Sequence, residues 1–444
     1  MPSLDDHPTV QLARRRALLP RADAPLDAAW LRNLCLDAGA DDVGFVEIDR
    51  PELAGEKPHI TAAFPRTRTL VSFVVRMNRE PVRSPARSLS NLEFHHTTDE
   101  ANEVARRIVA ALESEGVRAV NPPGGFPMEA QQWPGRMWVV AHKPVAVAAG
   151  LGMMGVHRNV IHPKFGNFIL LGTVLLEAEV SSHSRPVDFN PCLECKLCVA
   201  ACPVGAIKPD GAFDTAACYT HNYREFMGGF SDVLEHVADA KNGHDLRTRV
   251  PQAEQVSLWQ SLAFGPNYKA AYCVAVCPAG EDVIGPFLHN RGEFVKEVVK
   301  PLQQKEETIY VVPGSDAEGH VKKRFPHKKV RKVRGSFLLY TVPQFLLGIR
   351  ISFQREQSVG LNAVYHFTFT GASTATATVV IRNKTIDVTD GHHGTPDCAV
   401  TADADTWCGF LRKERSIVWA IVRGKVKVKG QFKLLPAFGK CFPS

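Results

Sequence analysis

No stretch of this 444-residue sequence is apolar for long enough to cross a bilayer. The longest nearly uncharged run, Pro144–Val156, is broken by glycines and falls short of the ~20 residues that a span requires. A secretory leader is missing too. Arg14-Arg15-Arg16 hints at a twin-arginine signal, but only Ala17-Leu18-Leu19 follow before Pro20, where an apolar segment of ~7–15 residues is needed. The chain is therefore expected in the cytosol. No Ser/His/Asp constellation stands out. None of His95, His96, His142, His157 and His162 has a metal partner at helical spacing, so each reads as an ordinary hydrogen-bonded histidine. With 45% hydrophobic and 22% charged residues the composition excludes a disordered or fibrous chain, and the length implies about three domains.

What the sequence does hold is eleven cysteines. In a compartment that keeps thiols reduced, they argue for metal or catalysis before disulfides. The stretch "PCLECKLCVAACP" (Pro191–Pro203) spaces Cys192, Cys195, Cys198 and Cys202 as C-x2-C-x2-C-x3-C-P. Soft thiolates at that spacing wrap three corners of an iron–sulfur cubane, and in two-cluster ferredoxins the fourth cysteine ligates the other cluster. A second group is thereby required. It is present as Cys218, with Cys273 and Cys277 in "YKAAYCVAVCPAG". Crossed ligation assigns Cys192, Cys195, Cys198 and Cys277 to a first [4Fe-4S] cluster, and Cys202, Cys218 and Cys273 to a second. The position that would supply an eighth thiolate is Ala270. The second cluster is then a [3Fe-4S] form, a [4Fe-4S] form completed by His221 or water, or absent. Zinc prefers two separated C-x2-C pairs, which the close third cysteine fits poorly. Cys35, Cys398, Cys408 and Cys441 read as buried structural thiols.

The net charge of +7 is concentrated. Between His320 and Arg334 stand Lys322, Lys323, Arg324, Lys328, Lys329, Arg331, Lys332 and Arg334 with no acid, and without those eight the chain would be at −1. With Pro326 inside it and "VPGSDAEG" before it, the segment 301–338 reads as a basic linker, either a solvated spacer or a patch for anionic membrane or nucleic acid. Upstream, Arg68–Asn78 and Asn167–Val180 read as strands, and a helix is predicted from the capping box Thr97–Glu100 to Gly116. Gly150, Gly152 and Gly155 satisfy G-x-G-x-x-G, and Glu177 lies at a suitable distance for a dinucleotide site. Pro163 and Gly166, however, end any helix too soon for one.

From "HKPVAVAAGLGMMGVHRNVIHPKFGNFILLGTVLLEAEV" through the cysteine run to "AACYTHN" and "YCVAVCPAG", the order of motifs over residues 30–300 resembles the epoxyqueuosine reductase and reductive dehalogenase superfamily. That resemblance implies an N-terminal α/β domain holding a cobalamin beside a ferredoxin-like dicluster domain, supplied with electrons by a ferredoxin or flavodoxin. Gly150, Gly152, Gly155, His157 and Asn159 form the matched cofactor loop. The catalytic aspartate of the epoxyqueuosine reductases falls at Arg136, which cannot donate a proton as a carboxylic acid does. The catalytic residue stays unknown.

The last quarter resembles the sterol carrier protein type 2 family, in "TPDCAVTADADTWCGFL" and "GKVKVKGQFKLLPAF". This implies a five-stranded sheet with helices around an apolar tunnel for a lipid, with a filled docking module as the alternative. The expected fold class is thus α/β and α+β. The domains are residues 1–185 (reductase-like), 186–300 (dicluster), the linker 301–338, and 339–444 (sterol-carrier-like). The expected function is an iron–sulfur oxidoreductase acting on or near an apolar substrate at the cytoplasmic side of a membrane; the alternative is a ferredoxin-type carrier with a docking domain.

Overall fold

The computed structural model describes residues 3–15, 24–125, 127–132, 136, 138–337 and 339–443. Arg16–Pro20 of the twin-arginine reading lie outside them. Among the described residues six strands precede position 180: β1 (Asp42–Glu47), β2 (Thr69–Arg76), β3 (Ala119–Val120), β4 (Met153–Met154), β5 (Val160–Ile161) and β6 (Ile169–Leu176). Four of them make an antiparallel sheet in the order β1-β2-β6-β3. The β-branched β2 is buried along almost its whole length because both of its faces are covered. On one side Val71 and Phe73 meet Val104, Ile108 and Leu112 of the helix Arg87–Ser114. On the other, Leu70 and Leu175 meet Val145 and Ala148 of the helix His142–Ala148.

The helix Arg87–Ser114 starts ten residues before its predicted capping box, and Thr97 lies buried in its interior. Its first turns are held from outside: Asn91 Oδ1 accepts from the Tyr268 N–H at 2.8 Å, and Asn91 Nδ2 donates to the Tyr268 carbonyl at 3.3 Å. A tertiary contact with the second cysteine motif thus extends a helix that local capping rules end at Thr97.

The basic segment is no linker. Strand β7 (Thr308–Val311), the helix Asp316–Arg324 and β8 (Lys329–Lys332) form a parallel β–α–β unit. Its Ile309, Val311, Ala317, Val321 and Phe325 share one core with Cys198, Cys202, Ala206 and Val274. Five of the eight cations are paired with acids of the chain. Lys322 and Lys332 pair with Glu318 at 2.7 and 3.2 Å, Lys328 with Glu307 at 2.7 Å, Arg331 with Glu254 at 2.8 Å and Arg334 with Glu235 at 2.6 Å. Lys328 is buried.

Beyond it, β9 (Ala363–Thr370), β10 (Ala375–Arg382), β11 (Thr385–Asp390), β12 (Cys398–Asp403) and β13 (Val426–Gly430) form a sheet in the order β11-β10-β9-β12-β13, antiparallel except for β9 with β12. Helices Val342–Ser352, Ala404–Leu411 and Leu434–Lys440 pack on it. The five-stranded α+β expectation is met. The interior is filled by rings: Phe345 and Trp407 lie 5.6 Å apart, Phe367 and Phe438 5.4 Å, Tyr365 and Phe438 5.0 Å. This sheet domain is tied to the cysteine region by Gln354. Its Oε1 accepts from the Asp316 N–H at 2.8 Å, and its Nε2 donates to Asp214 Oδ2 at 3.3 Å.

Candidate iron–sulfur centres

Cys192, Cys195 and Cys198 sit on a tight loop that turns through left-handed backbone at Glu194 (φ 52°) and Lys196 (φ 59°) before the short helix Leu197–Ala201. The loop closes on Cys277, and these four cysteines line one cavity together with His157 and Val156. Cys202, Cys218 and Cys273 make a second group: besides burial, Cys202 and Cys273 raise the Cys218 thiol, and Cys202 raises Cys273. The Ala206 N–H donates to Cys202 Sγ at 3.3 Å, and Asn159 Nδ2 lies 4.0 Å from Cys273 Sγ. Cys192, Cys195, Cys198 and Cys277, which the spacing groups together, line one cavity, and Cys273 of the second group lies close enough to act on Cys198.

Burial pushes the Cys198 thiol up to about 12 and Cys273 to about 11, and raises Cys195, Cys202, Cys218 and Cys277. Thiols so desolvated lose their protons when a positive partner binds the resulting thiolates. Among the described residues no three or more His, Cys, Asp or Glu side chains converge to hold a metal ion.

The surroundings fit a buried anion. Arg83 and Arg87 each have Nε and Nη2 buried without a hydrogen-bond partner. Arg83 lies in the field of Cys277, and Arg87 in that of Cys273. The one carboxylate paired with Arg83 is the exposed Glu80, at 3.4 Å. Lys143, in the field of Cys273 and Cys218, donates only to oxygens of Arg158 and Asn159, at 2.8 and 2.9 Å. Burial depresses the pKa of Arg83 and Arg87. Glu307 stands in the field of Arg87 beside Cys273, and Lys143 is exposed to solvent, so the need for a further negative group is greatest at Arg83 and Arg87, and a thiolate-ligated cluster is such a group. No motif marks these three positions, so sequence reasoning missed them.

Ala270 is buried, and its N–H and that of Ala271 both donate to Asn222 Oδ1, at 2.9 and 2.8 Å. The suggested substitute ligand His221 has its Nε2 buried without a partner. It stacks on Tyr310, its Nδ1 accepts from the Tyr310 N–H at 3.4 Å, and its charged neighbours are Lys269, Lys328, Arg224 and Lys305. Burial and those cations push its pKa down to about 3.

Gly150 (φ 75°) and Gly152 (φ 148°) are free of side chains because a Cβ would collide with the carbonyls of Arg185 and Ile161; at Gly155 it would meet Ile161 and His157. The loop is a hairpin of β4 and β5 in which Gly150 and Gly152 serve close backbone packing, whereas Gly155 borders a cavity of about 190 Å³ with Met154, Val156, Arg158, Asn190 and Cys192. His157 and Asn159 point instead toward the cysteines. His157 lies beside the first group with its pKa pushed down to about 4, chiefly by burial; its Nδ1 accepts from the Asn159 N–H at 3.1 Å, and its Nε2 is 3.2 Å from the Asn167 amide. Arg136 Nη2 is bonded to Glu56 Oε2 at 2.5 Å.

Comparison with known proteins follows this division. Residues 351–442 match the SCP-2 sterol transfer family, and residues 185–208 a 4Fe-4S binding domain. The epoxyqueuosine reductase of Vibrio cholerae is 30% identical over 92 residues, which are 20% of this chain and 24% of that protein. The chain thus matches about a quarter of the length of that curated relative. Among solved structures, epoxyqueuosine reductase from Streptococcus thermophilus aligns over 61% of this chain and 75% of its own, with 16% identity and a TM-score of 0.37. Sterol carrier protein 2 from Yarrowia lipolytica aligns over 20% of this chain and 74% of its own, with 20% identity and a TM-score of 0.18.

Proposed function

For a chain that joins a 4Fe-4S segment and a stretch similar to epoxyqueuosine reductases to an SCP-2-type domain, we propose an iron–sulfur reductase that passes electrons through two adjacent centres. The observation that carries this reading is the cavity shared by Cys192, Cys195, Cys198 and Cys277, with Cys202, Cys218 and Cys273 grouped beside it. The bound clusters would supply one-electron transfer. The chain's own residues exclude water around them, supply counter-charge through Arg83, Arg87 and Lys143, and keep His157 neutral next to the first centre. The second centre has three cysteine ligands and, at Ala270, a backbone N–H already committed to Asn222. A three-iron form, or a four-iron form with one exchangeable corner, follows from that shortage. The electron donor is a ferredoxin- or flavodoxin-type protein, and the SCP-2-type domain takes an apolar ligand or docks the chain at a lipid surface.

In the loop matched to a cobalamin site Gly150 and Gly152 pack on the chain's own carbonyls and Gly155 alone borders open space, and no step is assigned to that cofactor. With Arg136 committed to Glu56 and no carboxylic acid at that position, a second reading is an electron carrier without a catalytic step of its own. Iron, sulfide and cobalt analysis with EPR on anaerobic protein tests both. Two cluster signals are expected, and Cys277→Ala should abolish the first while leaving the second. Zinc or no metal in place of iron would overturn the redox reading, and stoichiometric cobalt would reject the bare carrier.

A further inference from the structure

The helix Ile417–Val422, "IVWAIV", is apolar all round. Ile417, Ala420 and Ile421 recur at helical spacing and pack into the aromatic core. The opposite face has no partner: Val418 is 65% exposed, Trp419 63% and Val422 69%. A surface helix of a free-standing domain would carry polar residues on that face. The flanking sequence is equally one-sided. Residues 412–433 contain Arg412, Lys413, Arg415, Arg423, Lys425, Lys427, Lys429 and Lys433 against Glu414 alone, a net +7 that equals the charge of the entire chain. Glu414 is paired with Arg412. Among the described residues Arg423, Lys427, Lys429 and Lys433 have no carboxylate within 4.0 Å. The contrast with residues 320–334, whose cations are mostly matched by internal acids, places the unspent charge here.

We propose that this helix and its basic flanks are a docking surface for an anionic lipid bilayer, with Trp419, Val418 and Val422 inserted at the headgroup level. An indole flanked by aliphatic side chains suits the boundary between headgroups and acyl chains, and Arg423, within 6.0 Å of the Trp419 ring, lies where it can meet a lipid phosphate. Each cation near an anionic surface strengthens binding, and the short reach of that field favours charges next to the inserted face over those elsewhere on the molecule. The inference is independent of the cluster assignment.

Flotation of the full chain with phosphatidylcholine vesicles, with and without phosphatidylserine, tests it. Binding is expected only with phosphatidylserine and should weaken with salt. Trp419→Ser should abolish it. Lys427→Gln with Lys429→Gln should lower it by about thirtyfold, at about 1 kcal/mol for each charge removed. Trp259→Ser, at an equally exposed tryptophan on the helix Gln252–Phe264, should change nothing. Equal binding to neutral vesicles, or no difference between the two tryptophan variants, would overturn the proposal. So would self-association that Trp419→Ser removes in the absence of any vesicle binding.

Discussion

Replacing Lys328 by alanine should unfold the region that its neighbour Lys329 leaves untouched. The Lys328 Nζ is buried and donates to the carbonyls of Leu302 (3.2 Å) and Lys305 (2.8 Å) and to Glu307 Oε1 (2.7 Å). Glu307 also accepts from the Tyr272 hydroxyl at 2.7 Å, so the pair lies against the second cysteine motif. Removing one partner of a buried ion pair costs about 3–5 kcal/mol, because the other charge is left desolvated. The two carbonyls also lose a charged donor. Against a typical domain stability of roughly 5–15 kcal/mol this is a large share. With a urea slope of about 2 kcal/mol per molar, the transition should fall by about 1.5–2.5 M. Lys329 has an exposed side chain at the end of β8, and Lys329→Ala should stay within about 0.5 kcal/mol. Urea titration of both variants by circular dichroism is the measurement. Equal midpoints for the two would refute the buried-pair argument and return the segment to a solvated spacer.

Three further outcomes are expected. Arg87→Gln should lower the midpoint potential of the second centre by on the order of 60 mV, a tenfold shift for a one-electron couple, and Arg83→Gln should act on the first; EPR-monitored redox titration reads both. Gly166→Ala should cost iron at the first centre, because Gly166 has φ 65° and its Cβ would strike the Ala279 carbonyl two residues beyond Cys277; metal content per folded chain checks it. His221 is held neutral, with its folded pKa near 3 against an ordinary value near 6.5, so the unfolded chain binds the extra proton first. Its contribution is whole above about pH 6.5 and is lost as pH falls toward 3, by up to roughly 4 kcal/mol. His221→Gln should flatten the acid limb of the stability profile over that window, and an unchanged limb would refute it.

The two cysteine groups were legible because ligand spacing is a local property of a tight loop. C-x2-C-x2-C-x3-C-P dictates both the wrapping of three corners and the export of Cys202 to a second site. The basic segment was misread because its partners are remote: Glu235, Glu254, Glu307 and Glu318 reach it from other elements, and a run of lysines looks the same whether its charges are solvated or paired. The early start of the helix Arg87–Ser114 depends on Tyr268, some 180 positions away, and leaves no local signal. Gly150 and Gly152 matched a phosphate-loop pattern for a reason that such patterns share with ordinary packing: both need a backbone without a Cβ. The counter-charges Arg83, Arg87 and Lys143 are single residues, visible only once the chain has brought them to the sulfur atoms.

The Gln354 amide makes one latch out of two halves. One edge of it grips Asp316 and the other grips Asp214, whose remaining oxygen caps the helix that carries Cys218. Asp214 lies within the electrostatic reach of the Cys218 sulfur. Any force that drew the ring-filled domain aside would therefore be felt as a changed field at the Cys218 sulfur, so the seating of one half is expected to register spectroscopically in the other.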